Sequence, residues 1–168
     1  ATGGYANIAN LVGSSAITDL IDGPLADTVW TITAANSGTV GNLLTFTNVE
    51  QFNGNTMDDT FVFSLGSSVT GLISGGSGWD ILDCVSQTGP MVLNLQEQTF
   101  TLSGGLTGVE EFVGGSSTAD SIIGDDQIRT WIITGTNTGH IDSMEEFQFS
   151  GVEQLTGGLL ADTFQFLT

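Results

Sequence analysis

The sequence contains no lysine and a single arginine, Arg129, against 19 acidic residues, for a formal charge of −18. Gripping a phosphate backbone depends on Lys and Arg, so nucleic acid is excluded as a partner. An anionic membrane surface is disfavoured for the same reason. Trypsin-type cleavage sites are nearly absent, which suits a protein exposed outside the cell. The one cysteine, Cys84, permits no internal disulfide and is expected to be a small buried apolar residue. The one histidine, His140, has no Cys or Ser in a triad-like setting and is expected at a surface turn. There is no run of 18 apolar residues and therefore no expected membrane span. No signal-peptide pattern follows Ala1, so a processed chain or an excerpt is expected.

What is present is glycine, 24 of 168 residues, with hydrophobic residues at 39%. That is about twice the usual glycine share, with too much apolar content for a disordered chain. The acidity makes the folded chain repel itself unless ions screen it, leaving cationic partners, metal ions or a saline medium as the compatible surroundings.

The chain also repeats itself. Residues 48–63 read NVEQFNGNTMDDTFVF and residues 151–166 read GVEQLTGGLLADTFQF. Eight of the fifteen positions from Val49 to Phe63 recur between Val152 and Phe166, at an offset of 103. A second block, 7–30, aligns on 108–131 at an offset of 101, carrying Val12, Gly13, Asp19 and Trp30 onto Val113, Gly114, Asp120 and Trp131. One repeat is therefore about 101–103 residues, and the chain holds one (1–101) and about two-thirds of another (102–168). By this offset Thr168 corresponds to Leu65 and Ala1 to Leu102. A shorter element, an aliphatic residue then Glu, Ala or Asn, with Gly and Asp following, starts at Ile8, Val49, Val109 and Val152 and ends in Asp19, Asp59, Asp120 and Asp162.

Short apolar runs of period two, such as VWTIT (29–33), LLTFT (43–47), TFVFS (60–64), EFQFS (146–150) and TFQFL (163–167), predict strands of four to six residues. Gly, Asn, Asp and Ser interrupt them about every ten residues. Nothing shows a helical period of useful length. The fold class expected is all-β. Recurrence of whole motifs favours a β-solenoid, parallel β-helix or β-roll-like, over a sandwich, because coils stack like on like. Val49, Phe52, Phe61 and Phe63, and their copies Val152, Leu155, Phe164 and Phe166, are expected inside, with Trp30 and Trp131. Asp59 and Asp162 are expected at corners, bonding the backbone.

Residues 75–83 read GGSGWDILD, which fits the nonapeptide G-G-x-G-x-D-x-U-x at every defined position. GGLLADTFQ (157–165) fits with Leu160 in place of a glycine. On these motifs the chain resembles the degenerate RTX-like repeats of very large secreted bacterial adhesins and matrix proteins. The resemblance implies an extracellular or cell-surface location, and it implies Ca²⁺, which takes six to eight oxygens from carboxylates and turned-in carbonyls. Asp80 with Asp83 is the first candidate site; Asp58, Asp59, Asp125, Asp126 and Asp162 follow. Against this stands the loss of tandem motifs: the segment taken to face GGSGWDILD, LNLQEQTFT (93–101), offers no second loop. Aspartates that only close corners are the competing expectation.

Glu110/Glu111 and Glu145/Glu146 are carboxylate pairs, yet with one arginine and a repeat-symmetric acid pattern no enzyme is expected. The reading is an extracellular structural module that assembles with itself, end to end, into a fibre, matrix or adhesin. Ala1 and Tyr5 at one end and Phe164 and Phe166 at the other are the expected assembly interface. A calcium-dependent folding module is the alternative. An ice- or glycan-binding solenoid with a surface target is a third, resting on TITAANSG (31–38) and IITGTNTG (132–139).

Overall fold

The computed structural model describes residues 8–42, 44–142 and 147–167. Ala1, Tyr5, Glu145 and Glu146 lie outside the described residues. Among those described there are nineteen strands and no helix, and so no helix long and apolar enough to cross a membrane. The protein is a β-solenoid.

The repeat seen in the sequence is a repeat of strands. The first copy runs β1 (Asn10–Val12), β2 (Leu20–Asp22), β3 (Thr28–Ala34), β4 (Ser37–Val40), β5 (Leu44–Thr47), β6 (Gln51–Asn53) and β7 (Asp59–Phe63). Five strands join it to the second: β8 (Leu72–Ser74), β9 (Ile81–Asp83), β10 (Val92–Asn94), β11 (Thr99–Phe100) and β12 (Gly105–Thr107). The second copy runs β13 (Glu111–Val113), β14 (Ser121–Ile123), β15 (Thr130–Gly135), β16 (Thr138–Asp142), β17 (Phe147–Ser150), β18 (Gln154–Thr156) and β19 (Thr163–Phe166).

One long sheet carries both copies, in the order β1-β5-β4-β3-β7-β9-β13-β17-β16-β15-β19. Its first five and last five strands follow the same plan. The chain alternates between this sheet and two four-stranded sheets, β2-β6-β8-β12 and β11-β10-β14-β18. Strands of successive coils pair in parallel, so inward residues stack in ladders. Trp30, Phe61, Leu82, Phe112 and Phe149 are in register on the long sheet. Ile21, Phe52, Ile73 and Leu106 are in register on one short sheet, and Leu93, Ile122 and Leu155 on the other. All but Leu155 are buried in one core cluster, which Leu155 flanks. Each buried large side chain contributes about 1.5–3 kcal/mol, so the ladders are what hold coil on coil.

The solenoid departs from a purely parallel coil in three places, one of them the short antiparallel pair β10-β11. β3-β4-β5 and β15-β16-β17 are antiparallel meanders inserted edgewise into the long sheet. Their two-residue turns put Asn36 and Asn137 at φ 51 and 57, a conformation Asn tolerates better than most residues. The TITAANSG and IITGTNTG segments are thus hairpins. His140, expected at a turn, lies half-buried within β16, opposite Ile132 and Gln148. Cys84 is fully buried, as expected, and burial pushes its thiol pKa up. Trp30 and Trp131 are core residues.

Candidate functional site

The coil neighbours of GGSGWDILD are not residues 93–101. β9 pairs with β7 on one side and β13 on the other, so the turn before it faces residues 54–59 and 108–111. The chain runs from Ile81 through β10, β11 and β12 before it reaches Glu111, the partner of Ile81, so residues 93–101 lie within that one coil and on a different sheet.

Three aspartates, Asp19, Asp80 and Asp120, are fixed by the next coil in the same way. Asp80 donates its N–H to Glu110 Oε2 at 2.8 Å, and its carbonyl accepts the N–H groups of Glu110 and Glu111 at 2.9 and 3.0 Å. Asp19 with Glu50 and Asp120 with Glu153 repeat the arrangement. The other oxygen of Glu50 and Glu153 accepts from Asn36 and Asn137, tying corner to hairpin. These glutamates were missed as structural residues. The signal was present: Glu follows Val in the second, third and fourth copies of the element, where the first copy has Ala9.

The carboxylates point back into the fold. Asp120 accepts the N–H of Met91 at 2.7 Å and of Gly115 at 2.8 Å; Asp162 accepts those of Arg129 at 3.2 Å and Gly158 at 2.9 Å. Asp58 accepts from Trp79 N–H, Asp126 from Leu159 N–H and Asp83 from Val85 N–H. Asp125 pairs with Arg129, which holds its carboxyl below the usual range. Asp125, Asp126 and Asp162 thus surround or neighbour Arg129 in the second repeat, while Asp83 lies on β9, turned to its own chain.

Asp59 and Asp80 are brought together. Asp59 donates its N–H to Asp80 Oδ1 at 2.7 Å and accepts from Trp30 Nε1 at 3.3 Å. Both residues are fully buried, and the Oδ2 atom of each has no hydrogen-bond partner. Burial raises both pKa values; Asp59, with Asp80 adding repulsion, is pushed up to about 6. A carboxyl whose folded pKa is raised stabilises the fold only when protonated, so its contribution is full below the unfolded pKa and lost as pH rises through about 6. Asp59→Asn keeps an acceptor for Trp30 and removes the charge. It is expected to stabilise the protein at pH 8 by about 2–3 kcal/mol and to flatten the stability change between about pH 4 and 6, measured by urea unfolding across that range. An unchanged pH profile would show that Asp59 is not the group titrating.

Calcium requires more oxygens than one carboxylate pair supplies. Among the described residues no group of three or more His, Cys, Asp or Glu side chains could hold a metal ion. Glu111, one of the carboxylate pair Glu110/Glu111, accepts from Trp79 Nε1 at 3.2 Å.

The ends of the solenoid differ from its middle. β1 and β19 are the outer strands of the long sheet, and Val12 and Phe166 are each 71% exposed. Phe164 is 41% exposed, so neither phenylalanine is the core residue expected, although Phe61 and Phe63, their counterparts, are at 0%. The cause is the coil above: β9 covers β7, whereas nothing described covers β19. Compared with known proteins, the chain matches no family model, no curated protein and no solved structure.

Proposed function

We propose that this chain is a structural module of an extracellular repeat protein, and that it works by stacking end to end into a fibre, matrix or surface adhesin. The observation that carries the reading is the outer strand β19, which presents Phe164 and Phe166 to solvent where the first repeat buries the same two positions. An outer strand with apolar side chains pairs readily with another strand. A head-to-tail contact of this kind uses different surfaces on the two partners and propagates into a filament. With a charge of −18 the subunits repel, so assembly is expected to increase with salt. Electron micrographs of the purified protein at raised ionic strength are expected to show unbranched filaments; monodisperse particles at every salt concentration would contradict the reading.

A calcium-dependent folding module is the second reading, and the orphaned Oδ2 atoms of Asp59 and Asp80 are what favour it. Circular dichroism separates the two. The structural reading expects a strand spectrum and an unfolding midpoint unchanged by a strong chelator. Loss of the spectrum on chelation and its return with Ca²⁺ would replace it.

A further inference from the structure

The last coil carries an empty copy of a site that the first repeat fills. A groove of about 420 Å³ at the open end is lined by Ile133, Asn137, Phe149, Val152, Leu155 and Phe166, among others. Counted back by 101 or 103, these are Ile32, Asn36, Phe46, Val49, Phe52 and Phe63. In the first repeat the five apolar positions are all buried. Part of their cover is the next coil's residues 66–74, GSSVTGLIS, whose Val69 and Ile73 are 2% and 0% exposed in the common core, while β9 lies over β7 and Phe63.

That coil is held by polar contacts as well. Asn36 donates its N–H to the Ser68 carbonyl at 2.9 Å, its Oδ1 accepts the Thr70 N–H at 2.9 Å, and its Nδ2 donates to Thr70 Oγ1 at 3.0 Å. The Gly71 N–H reaches the Glu50 carbonyl at 3.1 Å, and the Gly54 N–H reaches the Ser74 carbonyl at 2.8 Å. β8 then runs parallel to β6, with Ile73 opposite Phe52.

The second repeat keeps the receiving half of each contact. Asn137 holds the same turn, with Nδ2 on Glu153, and β18 is an outer strand of its sheet. At Gly157, the counterpart of Gly54, the contact with a following coil is not repeated: a Cβ on Gly54 would meet the Gly75 carbonyl oxygen at 2.3 Å, while the three atoms nearest a Cβ on Gly157 all belong to Asp162 of its own coil.

We infer that this groove is a strand-accepting site. Its ligand is an extended polypeptide segment with the chemistry of residues 66–74: a β-branched apolar residue followed by Thr, and a second β-branched residue four positions after the first. The segment adds in parallel to β18, its first apolar side chain enters the groove beside Phe149 and Phe166, and its Thr grips Asn137. The inference goes beyond end-to-end stacking, because it follows from repeat equivalence whether or not the protein assembles with itself.

The test uses the synthetic peptide GSSVTGLIS, titrated into the isotopically labelled full chain and followed by amide chemical shifts. Saturable shifts are expected at Asn137, at Gln154 to Thr156 and at Phe164 to Phe166. A peptide carrying Val69→Asp and Ile73→Asp is expected to bind about tenfold more weakly or worse. No saturable shift up to millimolar peptide, shifts centred elsewhere, or equal binding of both peptides would overturn the inference. Filaments with no peptide binding would leave the assembly reading standing and sink this one; peptide binding by a chain that never forms filaments would do the reverse.

Discussion

Phe63→Ala is expected to cost about 3–5 kcal/mol of folding stability, while Phe166→Ala, at the same position of the second repeat, costs less than about 1 kcal/mol. The two residues share a sequence context and a strand position. They differ in what lies above them. Phe63 is fully buried, in register with Ile32 and 5.9 Å from the ring of Phe100. Truncating it leaves a cavity that the stacked coils cannot close, since the ladder hydrogen bonds fix their spacing. Phe166 is in register with Ile133 on one side only and is 71% exposed. Its removal takes little surface out of contact in the isolated chain. Chemical unfolding of both variants at a concentration where the protein is monomeric checks this. Equal costs would mean that the last coil is covered, and the account of an open end would be wrong.

Gly75→Ala is expected to abolish the native fold at room temperature, or to destabilise it by about 4 kcal/mol or more. An ideal Cβ on Gly75 would lie 1.7 Å from the carbonyl oxygen of Gly108 in the next coil and 2.6 Å from Asp80 Oδ2. The first obstacle is backbone, and it cannot rotate away. Gly75 also donates its N–H to the Thr107 carbonyl at 2.9 Å, so moving the coil breaks a stacking hydrogen bond as well. A domain of this kind has about 5–15 kcal/mol in total, so one such clash removes much of it. Gly89→Ala is the control: nothing lies within 4 Å of its Cβ position, and a change within about 0.5 kcal/mol is expected. Thermal unfolding followed at a strand wavelength separates the two. A folded Gly75→Ala protein of near wild-type stability would refute the close coil stacking described above.

Much of the fold could be read from residues alone, because a solenoid writes its coil contacts into the chain as repetition. Val49, Phe52, Phe61 and Phe63 all face the core, the last two on either side of Val62, which turns outward. The stacking of Trp30 on Phe61 reappears as that of Trp131 on Phe164, with centroids 5.6 Å apart in both. The meanders were not read, because period-two alternation is the same in parallel and antiparallel strands. The Asn at each two-residue turn was the available clue. Phe164 and Phe166 were expected inside because their pattern matches Phe61 and Phe63, and pattern reports which face a residue takes, not whether another coil covers that face. The corner aspartates were legible as turn residues. Their glutamate partners showed only as a recurring Glu after Val, because a clamp between coils 30 or more residues apart has no local spacing that names its partner. The pairing of Asp59 with Asp80 was hidden for the same reason, being a consequence of which coils become neighbours.

Sedimentation velocity at raised ionic strength, over a wide range of protein concentration, shows whether a further strand completes the β19 end. The wild-type chain is expected to show species growing in length with concentration, and Phe166→Asp, which places a charge on the exposed strand without touching the buried ladders, is expected to remain monomeric with unchanged circular dichroism. A wild-type chain that sediments as a single monomeric species throughout, or a Phe166→Asp chain that assembles as well as wild type, would contradict the account.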